Sequence, residues 1–210
     1  MEDVLDVYTR PYDPRRPLIC LDETSRQLLG EVTPPQPIAP GHAARQDYEY
    51  VRGGVVNLFL VCEPLRGRRH VTVSDRRTRV DWAHCIKDLV EARYPDAERI
   101  VLVQDNLNTH NAGSFYENLP AKEAFALAQR FEMHYTPKKG SWLNMAELEL
   151  SALSRICLSR RIPSIEELDR EVQALVKERN ELKVKVEWQF SISQAREKLS
   201  RHYENAKSKN

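Results

Sequence analysis

Residues 99–111, RIVLVQDNLNTHN, constrain what this chain can fold into more than any other stretch. Four consecutive apolar residues, Ile100, Val101, Leu102 and Val103, form a short run rich in β-branching, which predicts a buried strand. The polar cluster that follows ends the run abruptly and leaves the carboxylate of Asp105 at its tip. In an open α/β sheet the carboxyl ends of strands are where ligands and metals bind, because the scaffold behind them is rigid while the tip is open. Asp and Asn also favour plain turns by bonding their own backbone, and taken alone the cluster reads as one. Two further acids shift the balance. LICLDET, residues 18–24, delivers Asp22 and Glu23 just after four apolar residues, and Glu147 lies within GSWLNMAELELS.

The rest of the chain bounds what those acids can serve. With 210 residues, 41% hydrophobic and 30% charged, it can bury one substantial core, a single domain with a helical appendage. Lys+Arg 32 against Asp+Glu 31 gives a net charge of +1, so there is no global basic field, and any contact with DNA must come from local patches. Cys20, Cys62, Cys85 and Cys157 stand singly, without a CxxC pair or histidines at zinc-ligand spacing, which predicts reduced, structural thiols and a cytoplasmic protein. No apolar stretch is long enough to span a bilayer, and MEDVLDVYTR is too acidic and polar for a signal peptide. A soluble chain with no membrane partner is expected.

Taken in order, residues 1–17 are rich in Pro and charge and read as an extended lead to the first strand. Residues 31–54, broken by Pro34, Pro35, Pro37, Pro40, Gly41, Gly53 and Gly54, read as a long hairpin connection or surface loop. Residues 55–65 and 70–75 are two strands joined by the basic turn RGRR, so the first three strands favour an antiparallel meander. From Asp81 the period changes: Trp82, Cys85, Ile86, Leu89 and Val90 trace one face of a helix capped by Asp81 and stopped at Tyr94-Pro95. The Asp105 strand comes next, and strand, helix, strand in that order imply a crossover and a sheet that turns parallel. Residues 114–131 are helical in two pieces around Pro120, and MHYTP is a short strand. Residues 144–158 form a helix with Asn144 at its N-cap, and residues 165–180 form another, with Ser164 and Glu167 as a capping box. A basic helix is expected near residues 195–203, with disorder over 207–210. The fold class is therefore α/β, a mixed sheet of three antiparallel strands and then parallel ones, flanked by helices. Its divisions are an extended lead at 1–17, the main α/β fold at 18–160 and a C-terminal helical extension at 161–210.

Three acids on separate elements suit a pair of divalent cations, because magnesium prefers hard carboxylate oxygens held by rigid elements. Asp22 and Asp105 meet if their strands are neighbours, and Glu147 reaches the same cleft from the first turn of its helix. A lone first-turn glutamate is otherwise an ordinary partner of the helix dipole. Glu149 is the other candidate for third acid. Residues two apart on a helix point in nearly opposite directions, so only one of the pair can face the metals.

CLDET, VLVQDNLNTHN and YTPKKGSWLNMAELELS resemble the three catalytic segments of mariner-type transposases of bacterial insertion sequences. The likeness runs from Leu18 to about Tyr203 and takes in WQFSISQAREKL. It implies a ribonuclease H-like fold and a DDE triad, onto whose positions Asp22, Asp105 and Glu147 fall. It also implies cleavage of DNA at transposon ends with two Mg2+ or Mn2+ ions, and joining of the freed 3′-hydroxyl to target DNA. The spacing from Asp105 to Glu147 (147 − 105 = 42 positions) is long for the family, with residues 121–129 as the extra helix turns. Met145-Ala146 replaces the family's usual Pro-Ile, while Asn144 keeps the frame that selects Glu147 over Glu149. A homodimer in the active complex is a further implication. So is a helix-turn-helix part encoded separately or upstream, since residues 1–17 are too short for one and binding by this chain alone should be weak and salt-dependent. A stand-alone nuclease of the same fold, or a non-catalytic relic that binds DNA or dimerises, are the alternatives.

Five residues are candidate DNA contacts: Lys138 and Lys139, near Glu147; Arg68 and Arg69, which form one basic cluster with Arg66, a second being Arg76, Arg77 and Arg79; and His110, which matches a family histidine and would touch phosphate or order the metal site. Asn106 reads as a turn former, and Trp142 as a core anchor under the third acid rather than a base-stacking residue.

Overall fold

The computed structural model of the protein describes residues 1–107, 110–200 and 203. Three strands, β1 (Leu18–Glu31), β2 (Tyr50–Glu63) and β3 (Arg68–Ser74), form the antiparallel meander. The chain then crosses through α2 (Arg79–Asp88) and a π-helical turn, Leu89–Arg93, to β4 (Ile100–Gln104), which lies parallel to β1. A second crossover, through α3 (Gly113–Asn118) and α4 (Ala121–Gln129), leads to β5 (Phe131–Tyr135), parallel to β4. The sheet order is β3-β2-β1-β4-β5, the mixed sheet that the sequence predicts. Pro120 stands between α3 and α4 as the N-cap of the second, because a proline interrupts one helix but suits the start of the next.

Strand alternation divides the core into two layers. Leu18, Cys20, Leu58, Leu60, Val101 and Val103 face α5 (Met145–Ile156) and α6 (Ile165–Glu181), whereas Ile19, Leu21, Phe59, Val61, Ile100 and Leu102 face Trp82, Ile86 and Phe115. Helix α6 packs along β3 and shares the first layer through Leu168, Val172, Leu175 and Val176. It also closes the open edge of β3 with amide side chains. Asn180 accepts from the Arg69 N–H at 2.8 Å and donates to the Arg69 carbonyl at 2.9 Å, as a neighbouring strand would, and Gln173 donates to the Val71 carbonyl at 3.0 Å.

Several local expectations are corrected. The lead is not extended: Glu2–Thr9 is a helix, α1, with Val4, Leu5, Val7 and Tyr8 buried in the α5 layer. Each such side chain stabilises by about 1.5–3 kcal/mol, which offsets the ordering of so short a helix. The prolines that suggested an extended lead all lie after it, at Pro11, Pro14 and Pro17. Strands β1 and β2 run further into the hairpin than residues 18–24 and 55–65, through a bulge between Gln27 and Leu29, and their outer ends alternate too weakly to read as strand. Helix α2 starts two residues before Asp81, capped by Thr78, with Asp81 as the reciprocal member of the capping box. Helix α7 (Ile192–Lys198) begins before the expected basic helix, capped by Ser191, and packs on α1, where Arg196 pairs with Glu2 at 2.6 Å. Residues 207–210 lie outside the described residues. No described helix is long and apolar enough to cross a membrane.

Candidate active site

Cys20 stands opposite Val103 in the last pair of the parallel β1–β4 ladder, so Asp105 follows the end of β4 while Asp22, two residues past that pair, lies within β1, which does not end there as the sequence suggests but runs on to Glu31 against β2. Glu147 is brought to that end by Asn144. The buried Asn144 amide donates to the Leu21 carbonyl, immediately before Asp22, at 2.7 Å, and its oxygen caps α5 by accepting from Ala146 N–H at 3.1 Å. Glu147 sits one turn on, half-buried, at the third position of the helix. Tyr8 holds the same turn from the other side, donating to the Leu143 carbonyl at 2.7 Å. Asn144→Ala removes the cap and leaves buried groups unpaired; a loss of about 1–3 kcal/mol in urea unfolding is expected.

The acids interact electrostatically. Burial, and then repulsion from Asp105, Glu147 and Glu23, push the Asp22 carboxyl up to about 7 against the Glu23 backbone N–H that it accepts at 2.8 Å. Behind Asp105 lies His110, fully buried and stacked on Trp82, its Nδ1 2.5 Å from Asp105 Oδ1 and its Nε2 3.6 Å from Glu23 Oε2. Burial opposes the imidazolium, but the two carboxylates override it and push His110 up to about 9. At 2.5 Å Asp105 is the nearer of the two carboxylates to the imidazolium and Glu23, at 3.6 Å, the more distant. Gln104 fixes the loop by accepting from Trp82 Nε1 at 3.1 Å and donating to the His110 carbonyl at 3.1 Å.

Among the described residues, no three His, Cys, Asp or Glu side chains stand close enough together to form a metal cage. The donor chemistry nevertheless fits a hard divalent cation. Asp22, Asp105 and Glu147 are all carboxylates, and Asp22 is buried and repelled by the other two without a cationic side chain against it among the described residues. Glu149 points the other way. It is 3% exposed and accepts from Arg69 Nη2 at 3.2 Å and from Arg179 through Nε and Nη2 at 3.2 and 3.1 Å, so it belongs to a buried ion cluster.

Two of the expected DNA contacts are corrected by burial. Arg69 is spent on Glu149 and on the Val184 carbonyl, and His110 has no surface with which to meet a phosphate. Its neighbours are instead Asp105 and Glu23. Arg68, Lys138 and Lys139 are exposed. Trp142 is no core anchor: Leu143 takes the buried position and Trp142 stays 46% exposed. The pairing of Glu23 with His110 was not foreseen. Its signal was strand alternation, which turns Glu23 to the face opposite Asp22.

A family model described as DDE superfamily endonuclease matches residues 17–169. No curated protein matches in sequence. Among solved structures, the Mos1 mariner paired end complex with manganese has a TM-score of 0.59 at 15% identity, covering 87% of this chain and 54% of that one. The Mos1 transposase paired-end complex with left transposon end has a TM-score of 0.57 at 16% identity, covering 87% and 58%. The Mos1 strand transfer complex gives 0.52 at 15%, again over 87% and 58%. At these identities the likeness is one of fold, the ribonuclease H-like mixed sheet flanked by helices. This chain spans a little over half the length of those chains.

Proposed function

The chain belongs to the DDE superfamily endonuclease family, and on that premise we propose that it is the catalytic domain of a transposase, cleaving DNA at transposon ends and joining the 3′-hydroxyl to a target. The observation that carries this reading is the electrostatic coupling of Asp22 to both Asp105 and Glu147, three acids on separate elements. Two magnesium or manganese ions would supply Lewis-acid activation of the attacking and leaving oxygens. The chain's own residues do the rest. Asp22, Asp105 and Glu147 offer the carboxylate oxygens, and His110, wedged between Asp105 and Glu23, fixes the Asp105 side chain. Exposed Lys138, Lys139 and Arg68 attract backbone phosphates. We place the protein in the cytoplasm, acting on DNA as a homodimer whose end recognition comes from a helix-turn-helix part outside residues 1–210.

The test is nicking of a plasmid that carries transposon ends, with magnesium, manganese or a chelator. Nicking with either metal and none in chelator is expected, along with duplex binding that falls steeply with salt and prefers the end sequence little over a scrambled one. A well-folded protein that leaves the plasmid intact with both metals contradicts the reading.

A further inference from the structure

Trp142 is a large aromatic side chain left 46% exposed two residues before Asn144, whose side chain is bonded to the carbonyl preceding Asp22. The segment that carries it is rigidly tied to the strand tips. Thr136 N–H donates to the Gln104 carbonyl at 2.9 Å, and Gly140 N–H to the Pro137 carbonyl at 2.8 Å. The single turn Ser141–Leu143 then leads into Asn144, which is bonded to the carbonyl before Asp22. Leu143 and Asn144 are fully buried, while Lys138, Lys139, Ser141 and Trp142 are exposed. Phe190 meets the indole edge-on, with ring centroids 5.6 Å apart. Lys198 Nζ lies 5.8 Å from the centre of the Phe190 ring. An exposed aromatic surface on a single turn, in a segment that also carries exposed Lys138 and Lys139 and leads into the helix of Glu147, combines the two features by which proteins hold single-stranded nucleic acid: a stacking platform and cations that track the backbone.

We propose that Trp142 stacks on an unpaired nucleobase of the DNA strand whose phosphate enters the acid cleft, making it a positioning residue for that strand. This rests on the cleavage reading above and adds to it the recognition of an unstacked base. Among the described residues Phe190 is the aromatic ring that meets the indole, which stays 46% exposed, and a base offers a flat π-surface whatever its identity, so the contact sets position without reading sequence. Lys138 and Lys139 would hold the neighbouring phosphates.

The probes are a single-stranded thymidine oligomer and the same sugar-phosphate strand with every base removed, titrated by fluorescence at low salt into the unaltered protein, Trp142→Phe and Trp142→Ala. Trp82 is fully buried and Trp188 half-buried, so the indole most open to a ligand is Trp142. The unaltered protein is expected to bind the base-bearing strand about tenfold more tightly than the abasic one. Its tryptophan emission should be quenched by the first strand only. Trp142→Ala should abolish the preference with an unchanged melting temperature, Trp142→Phe should keep most of it, and Lys138→Ala with Lys139→Ala should weaken both strands alike. A preference that survives Trp142→Ala, or no preference at all, overturns the proposal. Magnesium-dependent nicking without base preference strikes the stacking alone. Base preference without nicking supports the stacking and strikes the cleavage reading.

Discussion

In chelator, Asp22→Asn is expected to melt above the unaltered protein, and with magnesium restored to nick DNA about a thousandfold more slowly, the scale on which removal of one charge-stabilising group acts. The two effects share a cause. Without a cation, folding brings the Asp22 carboxylate out of water and towards Asp105, Glu147 and Glu23, so its pKa rises from 3.8 to about 7. Between those values the folded state binds more protons than the unfolded one, and this group's contribution to stability is lost as pH rises from about 4 to 7. At pH 8 the cost is of the order of 2–4 kcal/mol. Asparagine keeps the shape and loses the charge, so the variant should be more stable in urea at pH 8 and lack that part of the pH slope. Magnesium should then raise the melting temperature of the unaltered protein more than that of the variant, because a cation held by the folded state alone stabilises it. Equal melting temperatures in chelator, or undiminished nicking, would remove Asp22 from the site.

Glu149→Ala is expected to cost about 3–5 kcal/mol, whereas Glu147→Ala two residues earlier should change stability by less than about 1 kcal/mol and lower nicking about a thousandfold. Glu149 is the acceptor for two arginines in the layer between α5 and α6, and Arg69 beside it is equally buried at 3%. Removing the carboxylate leaves uncompensated guanidinium charge out of water, and a domain with a total stability of about 5–15 kcal/mol would stand near unfolding at 37 °C. Glu147 is half-buried and faces other acids, so its loss relieves repulsion rather than creating it. Urea melts and nicking rates of the two alanine variants should thus fall in opposite patterns. The reverse pattern would move the third acid to Glu149.

Much of this was legible in the chain because the signals are local. Four apolar residues before an acid mark the end of β4 at Asp105, though at Asp22 the same pattern falls inside β1, and Asn144 caps α5 through its own side chain, so the position of Glu147 in the first turn follows from sequence. Helix 1 was hidden because its stability comes from packing: Val4, Leu5, Val7 and Tyr8 form a helical face only against a sheet built from residues far along the chain. The fates of the basic residues were hidden for the same reason. Arg68 and Arg69 are identical in a linear reading, and alternation alone turns one to solvent and the other to Glu149, 80 positions on.

The sequence by itself determined Asp105 at the end of its strand, the order of strands and helices and the caps of α5 and α6, all set by residues within a few positions of one another. Only the tertiary structure decided that Asp22 and Asp105 are neighbours, that His110 is wedged between Asp105 and Glu23, that Glu149 is neutralised while Glu147 is not, and that Trp142 stays open. Each of these depends on which surfaces meet across the sheet. Burial and charge pairing between distant residues are properties of the packed chain, and no local pattern encodes them.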